Sequence, residues 1–429
     1  MLGRRGQHSQ AGRVSLRLER VHHLDPLRQI DRLADLTLAS NDDLGPLTLG
    51  GESYLLAPAF FDLHAHLRYP GQPQKELPET ARQAALQGGY ARLVCMANTD
   101  PPVDRPALLQ CVQGELDRRC APVTCHQVGA LTVGLEGREL TDLEGLVASG
   151  AVAISDDGNC AADEALVAAA MARLALLDVP LLEHSQLDSL AAGGVLSDGP
   201  YAAGLALPSV PKSAETELLR RDIALCQRTG CRVHFQHLSC AESVDMVAQA
   251  KAQGLPVTCE VNPHDLLLDE SVAAERGTLA KVNPPLRGAG DRLALLEGLR
   301  SGVIDAVATD HAPHELESKM SGWLAASFGM TGLELCAPIL LTLVERGEVT
   351  LARAIEALTT GPRRVVAASW RVDDMVLVDL SRQLTVDARH LASRGHNTPL
   401  EGFALLGKVL ATWVGGRVSY FDGDLLTHG

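Results

Sequence analysis

The chain contains 429 residues, with 38 lysines and arginines against 53 aspartates and glutamates, which gives a formal net charge of −15. An acidic balance of this size argues against binding to nucleic acid or to an anionic membrane surface. No apolar run reaches the ~18 residues that a membrane-spanning helix needs, and the ten cysteines show no C-x-x-C spacing. The composition therefore predicts a cytoplasmic protein, organised as one large domain and one smaller domain.

Residues 14–57 contain short apolar stretches separated by polar turns, which is typical of β-strands. From residue 58 onwards, strand-length apolar runs alternate with helix-like stretches. These runs begin near Ala59, Ala91, Val123, Ala151, Val179, Arg232, Val257 and Ile304. Short continuous apolar strands that alternate with helices indicate a parallel sheet covered by helices. Eight such units predict an α/β fold, with a (β/α)8 TIM-like barrel over residues 58–364.

The pattern returns to β-strands after the predicted barrel. Two apolar runs follow, and the second contains Gly415 and Gly416, a pair that is typical of a hairpin turn. The two ends of the chain are therefore predicted to share one small β-sandwich beside the barrel, formed by residues 14–57 and 365–429.

Polar side chains lie at the predicted ends of several barrel strands, where the active sites of such barrels are found. The first strand ends in His64 and His66, and residues two apart on a strand point to the same face. The other strand ends carry Asn98, Asp156, Asp157, His184, His237 and Asp310. Four imidazoles, one carboxylate of the Asp156–Asp157 pair and the carboxylate of Asp310 at one end of a barrel suit one or two Zn²⁺-like ions.

Each of these groups has a commoner interpretation when it is taken alone. A single histidine such as His184 is more often a hydrogen-bonded core residue, an Asp-Asp-Gly sequence is usually a turn, and Asp310 could cap a following segment. The coincidence of all the groups at one end favours the metal site. Spacing alone leaves both Asp156 and Asp157 open as the carboxylate of the fourth strand.

Six motifs resemble those of the dihydroorotases, a family of the amidohydrolase superfamily. They occupy residues 62–68, 98–101, 154–158, 260–264, 283–287 and 308–314. The resemblance extends over almost the whole chain. It implies a metal-dependent barrel with a β-sandwich, which agrees with the fold predicted from the strand pattern.

The resemblance also implies a role for each matching position. The implied metal ligands are His64, His66 and Asp310 for a first ion, His184 and His237 for a second, and Asp157 as the bridge between them. The cofactor would be Zn²⁺, with one or two ions per subunit. The residues implied in substrate binding are His66, Arg68, Asn98, Asn283, His314, Phe328 and Gly329.

The activity implied by the resemblance is the reversible cyclisation of N-carbamoyl-L-aspartate to L-dihydroorotate in de novo pyrimidine (UMP) synthesis. Water activated by the metal would attack the cyclic amide, and Asp310 would act as the general acid and base. Arg68 would bind the substrate carboxylate, although it could instead pair with Glu76 or Asp62 and hold the loop. The implied partners are a small-molecule substrate, a second copy of the chain in a homodimer, and aspartate transcarbamoylase.

Two alternatives remain. Hydantoinases, dihydropyrimidinases and allantoinases share the implied fold, but the resemblance implies that they bridge their metals with a carboxylated lysine, and this chain has no lysine between Lys75 and Lys212. A non-catalytic scaffold subunit of the dihydroorotase type would have lost metal ligands, whereas all six positions carry ligand residues here. Three residues depart from the family pattern without removing a ligand: Tyr69, Gln186 and Asp265.

Overall fold

The computed structural model describes residues 15–39, 47–368 and 370–423. The strands are β1 (Ser15–Asp25), β2 (Ile30–Ala39), β3 (Leu47–Gly50), β4 (Tyr54–Pro58), β5 (Phe60–Ala65), β6 (Tyr90–Cys95), β7 (Thr124–Gln127), β8 (Leu181–Glu183), β9 (Leu196–Ser197), β10 (Ser209–Val210), β11 (Val233–Phe235), β12 (Val257–Val261), β13 (Ala306–Val307), β14 (Met375–Thr385), β15 (Ala404–Val414) and β16 (Arg417–Phe421). The α-helices are α1 (Pro78–Gln87), α2 (Pro106–Arg119), α3 (Leu143–Ala148), α4 (Glu164–Leu177), α5 (Asp188–Ala191), α6 (Pro200–Leu205), α7 (Ser213–Thr229), α8 (Ala241–Ala252), α9 (Pro263–Leu267), α10 (Val272–Arg276), α11 (Ala289–Ser301), α12 (Leu316–Lys319), α13 (Cys336–Glu345), α14 (Leu351–Leu358) and α15 (Thr360–Val365). Short 3-10 helices lie at Val133–Leu135, Gly277–Ala280 and Ala388–His390.

Eight parallel chain segments pair in a closed ring. Strand β5 pairs with β6 and β6 with β7, and Gly129 just beyond β7 bridges to Ile154, which in turn bridges to Leu181 in β8. The order continues through β8, β11, β12 and β13. The ring closes where His311, after β13, bridges to Ala65 at the end of β5. All eight segments run in the same direction, so their C-terminal ends meet at one face of the ring.

The fourth segment of the ring is shorter than the strand predicted from Ala151 onwards. Ile154 forms single bridges to both neighbours, and its backbone N–H donates to the Pro180 carbonyl oxygen at 3.1 Å. The chain then turns, because the Asn159 N–H donates to the Asp156 carbonyl oxygen at 2.8 Å. The segment therefore keeps its place in the ring without forming a full strand.

Buried apolar side chains fill the ring. One cluster draws its members from around the ring, including Phe61, Val94, Val128 and Leu182, and Val365 at the end of α15 belongs to the same cluster. A larger cluster joins other strand residues to the helices between the strands. The polar residues described below lie at the C-terminal ends of the segments of the ring.

A second sheet contains strands from both ends of the chain. Its order is β16-β15-β14-β4-β1-β2, and β3 also pairs with β1. The junction between the two chain ends is the antiparallel pairing of β4 with β14. Leu18, Leu56, Leu377, Leu410 and Trp413 belong to a buried cluster of this sheet.

The α/β class predicted from the sequence is confirmed by this architecture. Parts of the two ranges predicted for the chain-end domain, residues 14, 40–46, 369 and 424–429, lie outside the described residues. Within the described ranges, no helix combines the length and the apolar character that crossing a bilayer would require. The ten cysteines are free thiols.

Candidate metal centre and active site

The C-terminal end of β5 is tied to the segment after β13 through Asp62. The Thr309 backbone N–H donates to Asp62 Oδ1 at 2.8 Å, and the Thr309 hydroxyl donates to Asp62 Oδ2 at 2.5 Å. Asp310 follows Thr309 directly, and its Oδ1 lies 3.0 Å from His66 Nε2. The pair of hydrogen bonds to Asp62 thus places a carboxylate of the last ring segment beside a histidine of the first.

Five of the six predicted ligands form two sets that share His64. The sets are His64, His66 and Asp310, and His64, Asp157 and His237. Within each set, the ligand atoms lie within 4.8 Å of one another, and all five residues are buried. The sixth predicted ligand, His184, lies beside the second set, with its Nδ1 2.8 Å from His237 Nε2.

Asp157 is the carboxylate that faces all four imidazoles. Its oxygens lie 3.3 Å from His64 Nε2 and 3.5 Å from His66 Nε2. The nearest nitrogens of His184 and His237 are 3.7 Å and 3.8 Å away. Asp157 therefore occupies a central position among the four imidazoles.

Asp156 is engaged elsewhere. Its carboxylate accepts hydrogen bonds from the Thr132 backbone N–H at 2.9 Å and from the Thr132 hydroxyl. The spacing of the sequence left both aspartates open, and these contacts favour Asp157 as the ligand.

Three of the site residues have an unusual backbone conformation. The φ angles of Arg68, His237 and Asp310 are 56°, 32° and 43°. Residues other than glycine rarely adopt positive φ values, and such residues cluster at functional sites, where the surrounding structure holds them in place. The conformation supports a functional assignment for this face of the ring.

Burial raises the pKa of the Asp157 and Asp310 carboxyls, but the surrounding His64, His66 and His237 together outweigh that effect and hold both pKa values below their usual range. Burial and the adjacent His237 lower the pKa of His184 to about 3, so this imidazole is neutral. His64 Nε2 is buried and has no hydrogen-bond partner among the described residues. Ionised carboxylates, neutral imidazole and an unpartnered ring nitrogen in one place fit a divalent metal ion.

Glu260 engages the other ring nitrogen of His64. Glu260 Oε1 lies 2.9 Å from His64 Nδ1, and Oε2 lies 3.0 Å from His234 Nε2. The opposite nitrogen of His234, Nδ1, is 2.8 Å from Thr258 Oγ1. A carboxylate that accepts from Nδ1 fixes the tautomer of a histidine and leaves Nε2 free to bind a metal. The sequence placed Glu260 in a family motif but gave no sign of which histidine it contacts.

We expect Glu260→Gln to weaken metal binding about 10- to 100-fold. The neutral amide is a poorer acceptor for His64 Nδ1–H than the carboxylate, so His64 loses both its fixed orientation and part of its basicity. Competition with a chelator of known affinity measures the change. Glu297→Gln, on the exposed face of α11, is the matched control, and an equal metal affinity in both variants would refute the role of Glu260.

A cavity of about 240 Å³ opens onto the two sets. Five of the six predicted ligands line it, and His64 is fully buried behind them. The predicted substrate-binding residues also line it, namely His66, Arg68, Asn98, Asn283, His314, Phe328 and Gly329. The structure therefore brings the predicted metal and substrate residues into one cavity.

Arg68 is a buried cation in the wall of this cavity. Its Nη2 lies 3.2 Å from His314 Nε2, and its Nε donates to the Pro313 carbonyl oxygen at 3.4 Å. Burial lowers the pKa of Arg68 to about 10, so the guanidinium stays charged at neutral pH. Burial and Arg68 together lower the pKa of His314 to about 2, so this imidazole is neutral and can accept from Arg68.

The two carboxylates considered as alternative partners of Arg68 are bonded to other groups. Asp62 accepts from Thr309, as described above. Glu76 Oε2 lies 3.2 Å from His311 Nε2 and accepts a hydrogen bond from the Ser393 hydroxyl at 2.6 Å. Among the described residues, the guanidinium of Arg68 therefore has no carboxylate partner, and it lines the cavity.

Asn98 lines the cavity, but its amide group already has partners. Asn98 Oδ1 lies 2.9 Å from His66 Nδ1, and Nδ2 donates to the Asp157 carbonyl oxygen at 3.1 Å and to Asp157 Oδ2 at 3.3 Å. The sequence predicted only a substrate contact for this residue. The hydrogen bonds give Asn98 a further task, because they orient one residue of each ligand set.

Comparison with known proteins decides the family. A family model described as Dihydro-orotase-like matches residues 53–243. The dihydroorotase of Anaeromyxobacter dehalogenans is 41% identical over 378 residues, covering 86% of this chain and 87% of the relative. That of Bacillus caldolyticus is 37% identical over 398 residues, covering 91% and 92%. The chain belongs to the dihydroorotase family.

Solved structures with the same fold include two hydantoinases. The L-hydantoinase (dihydropyrimidinase) of Arthrobacter aurescens aligns with a TM-score of 0.80 over 95% of this chain and 96% of that one, at 22% identity. The D-hydantoinase (dihydropyrimidinase) of a Thermus species aligns with a TM-score of 0.75, also at 22% identity, over 95% and 96%. At this level of identity, the likeness shows a shared fold.

The three departures from the dihydroorotase pattern leave the ligand sets intact. The Arg119 guanidinium lies over the Tyr69 ring, 5.0 Å from its centroid. Gln186 lines a neighbouring cavity of about 290 Å³. Asp265 is buried, and burial raises its pKa well above the usual range.

Proposed function

We propose that the chain is a dihydroorotase, which interconverts N-carbamoyl-L-aspartate and L-dihydroorotate in de novo pyrimidine synthesis. The observation that carries the proposal is that one cavity holds both the histidine–aspartate sets and the buried guanidinium of Arg68. Hydrolysis of a neutral cyclic amide needs the ligand sets alone. Dihydroorotate also carries a carboxylate, which an arginine can bind through two parallel hydrogen bonds.

We infer that the cofactor is Zn²⁺, with one or two ions per subunit. The first ion would be held by His64, His66 and Asp310, the second by His184 and His237, and Asp157 would contact both. A zinc ion in such a set supplies Lewis-acid chemistry, which activates water and polarises a carbonyl group.

Asp310 is the proposed catalytic residue, because it is an ionised carboxylate in the cavity wall beside His66. In hydrolysis, the water oxygen bonds to the ring carbonyl carbon and the bond from that carbon to the ring nitrogen breaks. The proton that the water loses passes to Asp310 and is then delivered to the leaving nitrogen. In the opposite direction, the same steps close the ring and release water.

Substrate binding divides between two sides of the cavity. Arg68, Asn98 and His314 would bind the carboxylate. Asn283 and the backbone of Phe328 and Gly329 would contact the ring. The separation of the two sides therefore determines whether the carboxylate and the ring are held at the same time.

We further propose that the ring of parallel segments is a (β/α)8 TIM-like barrel formed by residues 58–364. The seven-stranded sheet would be the β-sandwich of the family, formed by residues 14–57 and 365–429. A cytoplasmic location, a homodimer and a complex with aspartate transcarbamoylase belong to the proposal on the strength of the family resemblance.

The alternative is a cyclic amidase of the hydantoinase type. The shared fold favours it, but the buried carboxylate of Asp157 stands in the central position that a carboxylated lysine would need, and the chain has no lysine between Lys75 and Lys212. A neutral ring substrate also has no charged group that the guanidinium of Arg68 could bind. A non-catalytic scaffold subunit is disfavoured because the ligand sets are complete.

Hydrolysis rates on dihydroorotate, dihydrouracil, hydantoin and allantoin test the proposal. We expect kcat/KM of the zinc-loaded protein to be at least about 10² higher for dihydroorotate, since the guanidinium gains a charged partner only with that substrate. A preference for any of the neutral rings would overturn the assignment. Turnover of none of the four would favour the scaffold subunit.

We expect metal loading and activity to be independent of bicarbonate. A lysine bridge must be carboxylated before it can bind, whereas Asp157 is already a carboxylate. Apoprotein reloaded with zinc in bicarbonate-free buffer and in bicarbonate buffer should recover the same turnover. Asp157→Ala should lose both metal and turnover, and an Asp157→Ala protein with full metal content and full activity would refute the bridge.

A further inference from the structure

A buried asparagine outside the ring of strands joins the two sides of the cavity. Asn397 lies between the 3-10 helix at Ala388–His390 and β15, and it is fully buried. Its Nδ2 donates to the Ala312 carbonyl oxygen and to the Gly329 carbonyl oxygen, both at 3.0 Å. Its Oδ1 accepts from the His314 backbone N–H at 2.8 Å. The amide thus uses both N–H groups and its oxygen on three backbone groups of the cavity wall.

These three bonds require an asparagine. An aspartate of the same size could still accept from the His314 N–H, but it would turn an acceptor oxygen towards the carbonyl oxygens of Ala312 and Gly329. An alanine would leave all three backbone groups without this partner in a buried place, which is costly.

One of the segments that Asn397 bonds to, residues 312–314, orients the guanidinium of Arg68. The Pro313 carbonyl oxygen and His314 Nε2 are both partners of Arg68. Asn397 bonds to the residue before this pair, Ala312, and to the His314 backbone. A shift of the segment would therefore change the direction of the cation that faces the substrate carboxylate.

The other segment that Asn397 bonds to contains Phe328 and Gly329, which line the side of the cavity proposed to contact the substrate ring. Gly329 has a φ angle of 116°, and a Cβ added there would lie 2.6 Å from Ala312 Cβ. The segment that carries Asn397 packs equally closely, since a Cβ at Gly395 would lie 2.6 Å from Pro313 Cβ. The three segments meet without room for a further methyl group. The hydrogen bonds of Asn397 therefore join segments whose distance from one another is fixed by close packing.

We propose that Asn397 is a positioning residue that sets the separation between the carboxylate side and the ring side of the cavity. The inference rests on the proposed function, because it takes the substrate to be a ring that carries a carboxylate. No contact of Asn397 among the described residues goes to a side chain of the two ligand sets. Its loss should therefore weaken substrate binding while metal binding is kept.

The test compares wild type with Asn397→Asp and Asn397→Ala. Arg389→Ala is the control, because that side chain lies on the exposed part of the same C-terminal segment and pairs with Asp387. We expect KM for dihydroorotate to rise about tenfold in both Asn397 variants, from the loss of two or three hydrogen bonds that hold the walls. We expect kcat to stay within about threefold of wild type and the metal content to be unchanged.

A merely structural role predicts a different result. In a variant that is partly unfolded, the active fraction of the protein is lower, so the apparent kcat falls while KM is unchanged. A loss of bound metal would also indicate a merely structural role. Either result, or an unchanged KM, would overturn the positioning role and leave the dihydroorotase assignment standing. If Asn397→Asp and Asn397→Ala fail to fold, Gly395→Ala decides, because its methyl group should displace Pro313 and raise KM in the same manner. A wild-type protein that does not hydrolyse dihydroorotate would instead refute the proposed function, and this inference with it.

Discussion

We expect Asp310→Asn to lower kcat for dihydroorotate hydrolysis by about 10² or more. Asparagine has the size of aspartate, but its amide cannot take a proton from water. Asp310 belongs to one of the two sets that could hold a metal ion and lines the cavity, so in the proposed mechanism the same carboxylate would bind the ion and face the substrate. Steady-state turnover of fully metal-loaded protein measures the effect.

The metal content of each preparation must be measured alongside, because Asp310 is also a proposed metal ligand. Asp245→Asn, on the exposed face of α8, is the matched control and should keep wild-type turnover. If Asp310→Asn kept wild-type turnover at equal metal content, the proton transfer would belong to another residue, and His264 or His314 would be the next to test.

We expect Arg68→Met to weaken binding of dihydroorotate by about 2–4 kcal/mol, as is found when one partner of a buried charge pair is removed. Methionine keeps much of the length and apolar surface of the side chain but has no positive charge. Dihydrouracil has the same ring without the carboxylate, so its kcat/KM should change little. The ratio of kcat/KM for the two substrates should therefore fall by about 30- to 1000-fold.

Arg220→Met, at an exposed position on α7 where the arginine pairs with Glu217, controls for the general effect of the substitution. A loss of the same size for both substrates, or for neither, would contradict the carboxylate role of Arg68. In that case the contacts with Pro313 and His314 would mean that Arg68 serves only to hold the loop.

The parts of the site that follow from local geometry could be predicted from the sequence. Residues two apart on a strand share a face, so His64 and His66 had to emerge together at the end of β5. Parallel strands end at the same side of a sheet, which brought Asp157, His237 and Asp310 to that place. The apolar runs predicted the ring of strands for the same reason, because a strand buried on both faces has no polar alternation.

The parts that depend on distant segments could not be predicted. Asp62 and Thr309 are 247 residues apart, and Glu260 lies 196 residues from His64. Nothing in the local pattern of either segment indicates its partner. Asn397 lies in a segment that reads as an ordinary loop, and its role depends on three backbone groups more than 65 residues away. The fourth strand is likewise shortened by a turn at Asp156, and the pattern of apolar residues in the sequence does not show this turn.

The proposed function requires that the histidine–aspartate sets form a metal centre that hydrolyses dihydroorotate. The most direct test follows dihydroorotate hydrolysis by one preparation of the protein before chelation, after chelation and after reloading with zinc, with the bound metal quantified at each stage. We predict turnover in the first and third states and a loss of turnover in the second that parallels the loss of metal. Undiminished hydrolysis by protein shown to be metal-free would contradict the account.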